Sequence, residues 1–313
     1  MDRIRIALGN RGCGTAPVFA TLEGGYFREQ KLEPELVPHD GHSRSLAALI
    51  AGGAEFTNAV APEVIMANLR HDGDVVIIAS AISRSAQQFC ARPGLTTRDH
   101  LRGKRWGVQA RNDADEVSIA MAFERWGWDL ARDAEIVVVG FDGPRLDLLL
   151  DARRVDVAVM HAPEPFQATK RGWNLVEDLG RMDVAFQNSC AGSTRRLAKE
   201  RPDVVLRYVR AYCQGVYRFR TDARFGIEVL RKYTGESDPD VLVASWVMFA
   251  RLMGGMMFPS LEGVRTAAHL LHKLGAVPRL IDPEELVDQE PVAALQREGF
   301  FASLMGAREA AAR

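Results

Sequence analysis

Residues 20–40 read ATLEGGYFREQKLEPELVPHD, and what this stretch becomes decides the fold. Small and apolar residues suited to a helix run up to Gly24-Gly25, where glycine stops a helix. Tyr26 and Phe27 then sit in a turn, a charged run follows, and Glu35, Leu36 and Val37 read as a strand. A helix that ends and feeds a strand is half of a strand–helix–strand unit, and repeats of that unit build a mostly parallel sheet. Such sheets hold ligands beyond the carboxyl ends of their strands, so the loops there are the places to search for function.

Upstream, Ile4, Ile6 and Leu8 alternate with Arg3, Arg5 and Ala7, the pattern of a first strand. A glycine-rich loop, Gly9 to Gly14, leads into a short helix over Ala16 to Leu22. Downstream, the second strand ends at Pro38, and Ser45 to Ala51 is apolar at helical spacing. Phe56 to Ala61 reads as a third strand, and Pro62 opens the next helix. Val75 to Ala81 is an unbroken apolar run, as in a strand buried on both faces. Beyond Arg92 the alternation restarts. Strands are expected at Arg105 to Val108, Glu135 to Val139 and Val155 to Met160, with helices at Asp113 to Trp126 and Arg145 to Asp151. From Arg195 onward the reading is helical, and Val205, Tyr208, Val209, Tyr212 and Val216 share one face. The expectation is an α/β protein of two lobes, each with its own mostly parallel sheet flanked by helices, and a helical C-terminal part.

The totals narrow the function. A chain of 313 residues is long enough for two lobes. Its 40 basic and 41 acidic residues leave no excess to neutralise phosphates, so nucleic acid is not an expected partner. No apolar run is long enough for a membrane span. Cys13, Cys90, Cys190 and Cys213 form no C-x-x-C pair, and His39-Asp40-Gly41-His42 is not a standard ligand spacing with a third ligand at hand. Reduced, buried thiols are expected, with no cofactor and no metal. MDRIRIALGN enters a strand with no hydrophobic leader. The expected location is therefore cytoplasmic if the sequence is complete as written, and periplasmic if a leader was removed.

Four stretches, in order, resemble one family. GGYFREQKLEPELVP, LIAGGAEFTNAVAPEVIMA, DHLRGKRWGVQ and LLLDARRVDVAVMHAPEPFQATKRGW are similar to segments of type-2 periplasmic binding proteins. The group is the one that captures nitrate, taurine, aliphatic sulfonates or thiamin-precursor pyrimidines. The resemblance spans roughly Arg3 to Val184, and Lys31 stands where that family often has glycine. It implies two lobes, 1–88 with 189–313 and 89–188, joined by crossings near Ile82 to Cys90 and Ala185 to Cys190, that close on a ligand. It also implies a monomeric solute-binding protein that captures a small organic molecule for ABC-type uptake, with a transporter permease as partner.

The strand-end loops supply the candidate ligand-binding residues. After the first strand these are Asn10, Arg11, Cys13, Gly14 and Thr15, where Arg11 suits a carboxylate or sulfonate. After the second they are His39 and His42, and after the third Asn58, Ala59 and Glu63, beside a helix start that favours an anion. Arg84 and Gln87 lie at the first crossing. In the second lobe Gln109, Arg111, Asn112 and Asp113 open a helix where the family often places serine or threonine, and His161 and Glu164 follow the last strand. The carboxylates Asp113, Asp115 and Glu116 already satisfy that helix's positive end. This argues against nitrate and simple sulfonates, and for an organic ligand carrying a donor or cationic group. Trp106, Trp126, Trp128 and Trp173 read as packing.

The alternative is an enzyme on the same fold, of decarboxylase, desulfinase or thiamin-pyrimidine-synthase type. Cys13, His42 and Arg11 would lie on adjacent loops, and a thiol beside histidine could deliver the proton that replaces a departing group. This resembles an aryl-sulfinate desulfinase. The Arg-x-Gly-Gly element of that enzyme is absent, however, with Phe56-Thr57-Asn58-Ala59-Val60 in its place. The cysteine-rich segment of the pyrimidine synthase is absent too. A cytoplasmic ligand sensor is the third class.

Overall fold

The computed structural model describes residues 1–71, 73–140, 142 and 144–311. Its strands, in chain order, are β1 (Asp2–Leu8), β2 (Leu32–Pro38), β3 (Phe56–Ala59), β4 (Val75–Ser80) and β5 (Gln87–Ala91), then β6 (Lys104–Val108), β7 (Ala134–Val138), β8 (Val157–His161), β9 (Asn174–Asp178) and β10 (Cys190–Thr194). They form two five-stranded sheets, ordered β2-β1-β3-β10-β4 and β7-β6-β8-β5-β9. In the first sheet β10 is antiparallel to both its neighbours, and in the second β5 is. The other pairings, β1 with β2 and β3, and β6 with β7 and β8, are parallel. Each sheet therefore has four strands running one way and one running back. The lobes are α/β, as the alternating pattern requires.

The two returning strands were not legible in the sequence. QQFCA and CAGST are buried at every position, so neither shows a polar face to alternate with an apolar one. β5 begins inside the stretch expected to cross between sheets. β9 was also missed, as was the helix Glu164–Lys170.

The two crossings lie side by side and pair through their backbones. Ile82 N–H donates to Ser189 O at 3.1 Å, Phe186 N–H to Ser83 O at 3.0 Å and Asn188 N–H to Ile82 O at 3.0 Å. Gln187 Nε2 donates to Ser80 Oγ at 2.8 Å, and its Oε1 accepts from Ser260 N–H at 2.8 Å.

The first sheet is covered by the helices Ala16–Glu23 and Pro202–Thr221. Val205, Tyr208, Val209, Tyr212 and Val216, the face read from helical spacing, are all buried, and the Tyr208 ring stacks on Phe56 at 3.8 Å. Gly215 lets the two helices touch, because a Cβ there would lie 2.6 Å from Thr21 Cα. In the second lobe Phe89, Trp106, Phe123, Trp126 and Trp128 meet edge to face or tilted, so those tryptophans are packing, as expected. Trp173 is buried in a small satellite cluster. All four cysteines are buried and unbonded. Among the described residues no helix is long and apolar enough to cross a membrane.

The opening stretch folds as read, with one refinement. Tyr26–Glu29 is a single helical turn, and the strand begins at Leu32. Between them Lys31 has φ 56°, a left-handed conformation that L side chains resist and glycine accepts. Its relief is partly offset by the extra freedom glycine has in the unfolded chain. Lys31→Gly is therefore expected to stabilise the protein by roughly 0.5 kcal/mol, measured as a rise in the denaturant midpoint.

Candidate functional site

The carboxyl ends of the parallel strands of both sheets converge on one cleft of about 1060 Å³. Gly9 to Arg11 follow β1, His39 follows β2 and Val60 follows β3. From the other side come Gln109 after β6 and His161, the last residue of β8. The antiparallel strands β5 and β10 run the opposite way, so their first residues and the crossings before them reach the same cleft through Gln87, Asn188 and Ser189. Asn188 Nδ2 donates to Gln87 Oε1 at 3.1 Å, tying the two crossings together at the cleft floor. A second groove, of about 1150 Å³, runs along the helices Ala114–Trp126 and Leu261–Lys273. Among the described residues no strand end opens into it and no buried unpartnered side chain lines it, so the strand-end cleft is the candidate site.

On the first-sheet side Asn10 organises the loop. Its Oδ1 accepts from Gly12 N–H at 2.9 Å and from Thr15 Oγ1 at 3.0 Å, which turns its Nδ2 toward His42 Nε2 at 3.0 Å. Because Asn10 donates there, the His42 ring proton belongs on Nδ1, an atom that is buried and has no partner. Burial holds the His42 pKa below the ordinary histidine value. Gly9 is required here, since a Cβ on it would lie 2.7 Å from the backbone N and Cα of His42. Gly12 packs against the ring of His161 across the cleft. Burial and the nearby Arg145 cation lower His161 to about 4, so it is neutral at pH 7.

On the second-sheet side the helix Ala114–Trp126 points its N-terminus at the cleft, and protein carboxylates occupy it. Asp113 caps it, accepting from Asp115 N–H at 3.0 Å and Glu116 N–H at 2.9 Å, and Ala110 N–H also donates to Asp113 at 2.9 Å. Glu63, from the first lobe's side, reaches across to accept from Ala114 N–H at 3.3 Å. Its other oxygen, Oε2, is buried without a partner. Burial, reinforced by the charge on Asp115, raises the Glu63 carboxyl to about 8. Burial and Asp115 push Asp113 upward as well, against the backbone N–H groups that favour its ionised form.

Arg145 is the hub of the far wall. Its guanidinium donates to Asp115 Oδ2 at 2.6 Å, to Gln109 Oε1 at 3.1 Å, to Val159 O at 3.0 Å and to Glu164. With these donors engaged by the protein, it is not a vacant anion receptor.

Of the residues singled out from sequence, Asn10, Arg11, Gly14, His39, His42, Asn58, Glu63, Gln87, Gln109, Asp113, His161 and Glu164 line the cleft. Six do not. Cys13 is fully buried among core residues, and that burial raises its thiol pKa. Thr15 is buried and supports Asn10, while Ala59 is buried in β3. Arg84 pairs with Asp183 on the surface at 3.3 Å, and Arg111 pairs with Glu116 at 2.9 Å. Asn112 occupies a left-handed turn, φ 63°. Sequence reasoning missed Arg145 and the crossing residues Asn188 and Ser189. Arg145 begins a helix of only five residues (Arg145–Leu149), and nothing in the pattern marks it as inward-facing.

Comparisons with known proteins agree on the fold. The family model described as NMT1/THI5 like matches residues 14–221. A search of curated proteins finds no match. Among solved structures, the alkanesulfonate-binding protein SsuA from Xanthomonas axonopodis pv. citri, bound to MOPS, superposes with a TM-score of 0.77 at 15% identity, covering 92% of this chain and 99% of that one. The periplasmic aliphatic sulphonate binding protein SsuA from Escherichia coli gives 0.76 at 15% identity, with 92% of each chain covered. The desulfurization enzyme DSZB gives 0.65 at 16% identity, covering 95% of this chain and 100% of that one. Identities this low carry the two-lobed fold and leave function open, because binders and an enzyme share it.

Two measurements test this geometry. Replacing Arg145 by Met leaves Asp115 and Glu164 facing each other uncompensated, and is expected to lower the unfolding free energy by about 3–5 kcal/mol in a denaturant titration. The second is the pH profile of the melting temperature. Folded His161, at about 4, binds its proton less readily than the ordinary 6.5, so its contribution to stability is lost as pH falls through that window. Folded Glu63 keeps its proton to about 8 rather than 4.5, so its contribution is lost as pH rises through that range. His161→Gln should flatten the acid limb and Glu63→Gln the alkaline limb. Unchanged slopes would contradict the burial that sets these values.

Proposed function

We propose that this chain, which belongs to the NMT1/THI5-like family, is a solute-binding protein that captures a small organic molecule between its lobes. The lobes are 1–88 with 189–313 and 89–188. The paired crossings between them act as the hinge on which they close. The further steps of this reading are ABC-type uptake, delivery by a monomer to a transporter permease, and a periplasmic place of work.

The observation that carries the reading is the state of the cleft's polar groups. Asp113 and Glu63 accept from the first N–H groups of the helix Ala114–Trp126, and Arg145 is engaged by Asp115, Glu164 and Gln109. On the second-sheet wall a small bare anion would find the helix start already filled and the buried guanidinium already engaged, which leaves only the uncapped start of the helix His42–Ile50 on the opposite wall. An organic solute needs only a shaped cavity with a few convergent polar groups, and Glu63 Oε2, buried without a partner in a residue that lines the cleft, is one of them.

The enzyme alternative assigned proton delivery to Cys13. That thiol is fully buried and is not part of the cleft lining, so the structure favours binding over turnover.

A thermal-shift screen with mass spectrometry of the recovered compounds tests the proposal. Nitrate and sulfate at high millimolar concentration are expected to leave the melting temperature unchanged. An organic solute is expected to raise it and come back intact, with Cys13→Ser retaining its affinity. A compound recovered smaller by a carboxyl or sulfinyl group, with turnover lost in Cys13→Ser, would make the protein an enzyme.

A further inference from the structure

We infer that the captured solute presents a protonated nitrogen, an ammonium or amidinium group, to the carboxyl of Glu63. This rests on the solute-binding reading above and names the chemistry the cleft selects.

Glu63 lies in the first turn of the helix Ala61–His71, is 6% exposed and lines the cleft. One of its oxygens accepts from Ala114 N–H, while Oε2 is buried with no partner. A buried carboxyl oxygen without a partner is an unmet demand that a ligand N–H can satisfy. The groups that face Glu63 are already committed. Asp113, which caps the helix across the cleft, holds three backbone N–H groups, and Asp115 on that helix holds Arg145. Cys190 on β10 donates its thiol to Ala59 O. His42, on the helix His42–Ile50, is neutral and offers only an N–H.

The charge around the cleft has the matching sign. Six carboxyl side chains line it against three guanidinium groups. Arg145 is spent on Asp115 and Glu164, and Arg44 on Asp40. Among the described residues that leaves Glu63, Asp113 and Asp142 against Arg11. A cation entering here can ionise a carboxyl beside it and pair with it, a response that the cleft does not offer to an anion.

The empty and filled states differ by one proton. Burial keeps Glu63 mostly neutral at pH 7 when no cation is present. An arriving ammonium or amidinium stabilises the carboxylate, so the Glu63 O–H bond breaks, the proton passes to buffer, and an N–H···O ion pair replaces it. A neutral ligand that accepted a hydrogen bond from Glu63 would bind without releasing a proton.

The test uses the full chain and matched probes. Benzylamine, benzamidine and 1,4-diaminobutane are compared with benzyl alcohol, benzoate and benzenesulfonate by thermal shift and titration calorimetry. The amines and amidine are expected to raise the melting temperature. At pH 7 their binding heat should vary with buffer ionisation enthalpy in the sense of proton release. Their affinity should rise about tenfold or more from pH 6 to 8, and Glu63→Gln should lower it at least about tenfold. Stabilisation by benzyl alcohol, benzoate or benzenesulfonate with no response to the cationic probes would overturn this inference and leave the solute-binding reading standing. So would cation binding without proton release and indifferent to Glu63→Gln. No response to any probe would count against both. If Glu63→Gln fails to fold, the proton count on the unaltered chain decides.

Discussion

Everything in this protein depends on two chain crossings that lie against each other. The chain builds four strands of one sheet, crosses, completes a second sheet, and crosses back to insert a last strand into the first. Each crossing is followed at once by a strand antiparallel to its neighbours, second from the sheet edge. That arrangement brings the start of β5 and the start of β10 to the end of each sheet where the parallel strands finish. Backbone hydrogen bonds between residues 82–83 and 186–189 then make the two connections one element. The proposed capture of a solute rests on this arrangement, a cleft between two sheets joined by one paired element.

The electrostatics of the cleft follow from placing carboxylates where a helix terminus would otherwise attract an anion. The helix Ala114–Trp126 brings its positive end to the site, and Asp113 with Glu63 fills it from both lobes. The Arg145 guanidinium has the same fate, held by Asp115, Glu164, Gln109 and a backbone carbonyl. On the second-sheet side of the cleft both of the usual devices for holding small anions are therefore present and occupied. What remains open is buried capacity, chiefly the unpartnered oxygen of Glu63. Related proteins of this fold are named for sulfonates. The proposal of a different ligand chemistry for this chain rests on the residue types at the cleft and not on the backbone shape.

How much was legible beforehand varied with the kind of element. Strands that carry their own signal were read directly. β1 shows alternation and β4 an unbroken apolar run. The long helix Pro202–Thr221 showed its buried face through its period. The returning strands β5 and β10 were missed because a five-residue segment buried on both faces has no periodicity to detect. Lys31 stands where the resembled family often has glycine, and the left-handed backbone there supplies the reason. Most of the candidate residues on strand-end loops do line the cleft. Cys13 and Thr15 are exceptions because they belong to the short 3-10 turn Cys13–Thr15, which buries both of their side chains.

The sequence by itself determined the α/β class, the order of the early strands, the loops that meet at a ligand site and the carboxylate character of one helix start. Those features are local, written in side-chain periodicity, glycine placement and capping residues that act within a few positions. Tertiary structure alone decided that Glu63 lies 3.3 Å from the Ala114 amide, 51 residues away. It also decided that Arg145 is consumed by Asp115 and Glu164, and that Cys13 is turned away from the cleft. Those outcomes depend on how two separately folded sheets are brought together. Burial, which sets the protonation of Glu63 and His161, exists only once they meet.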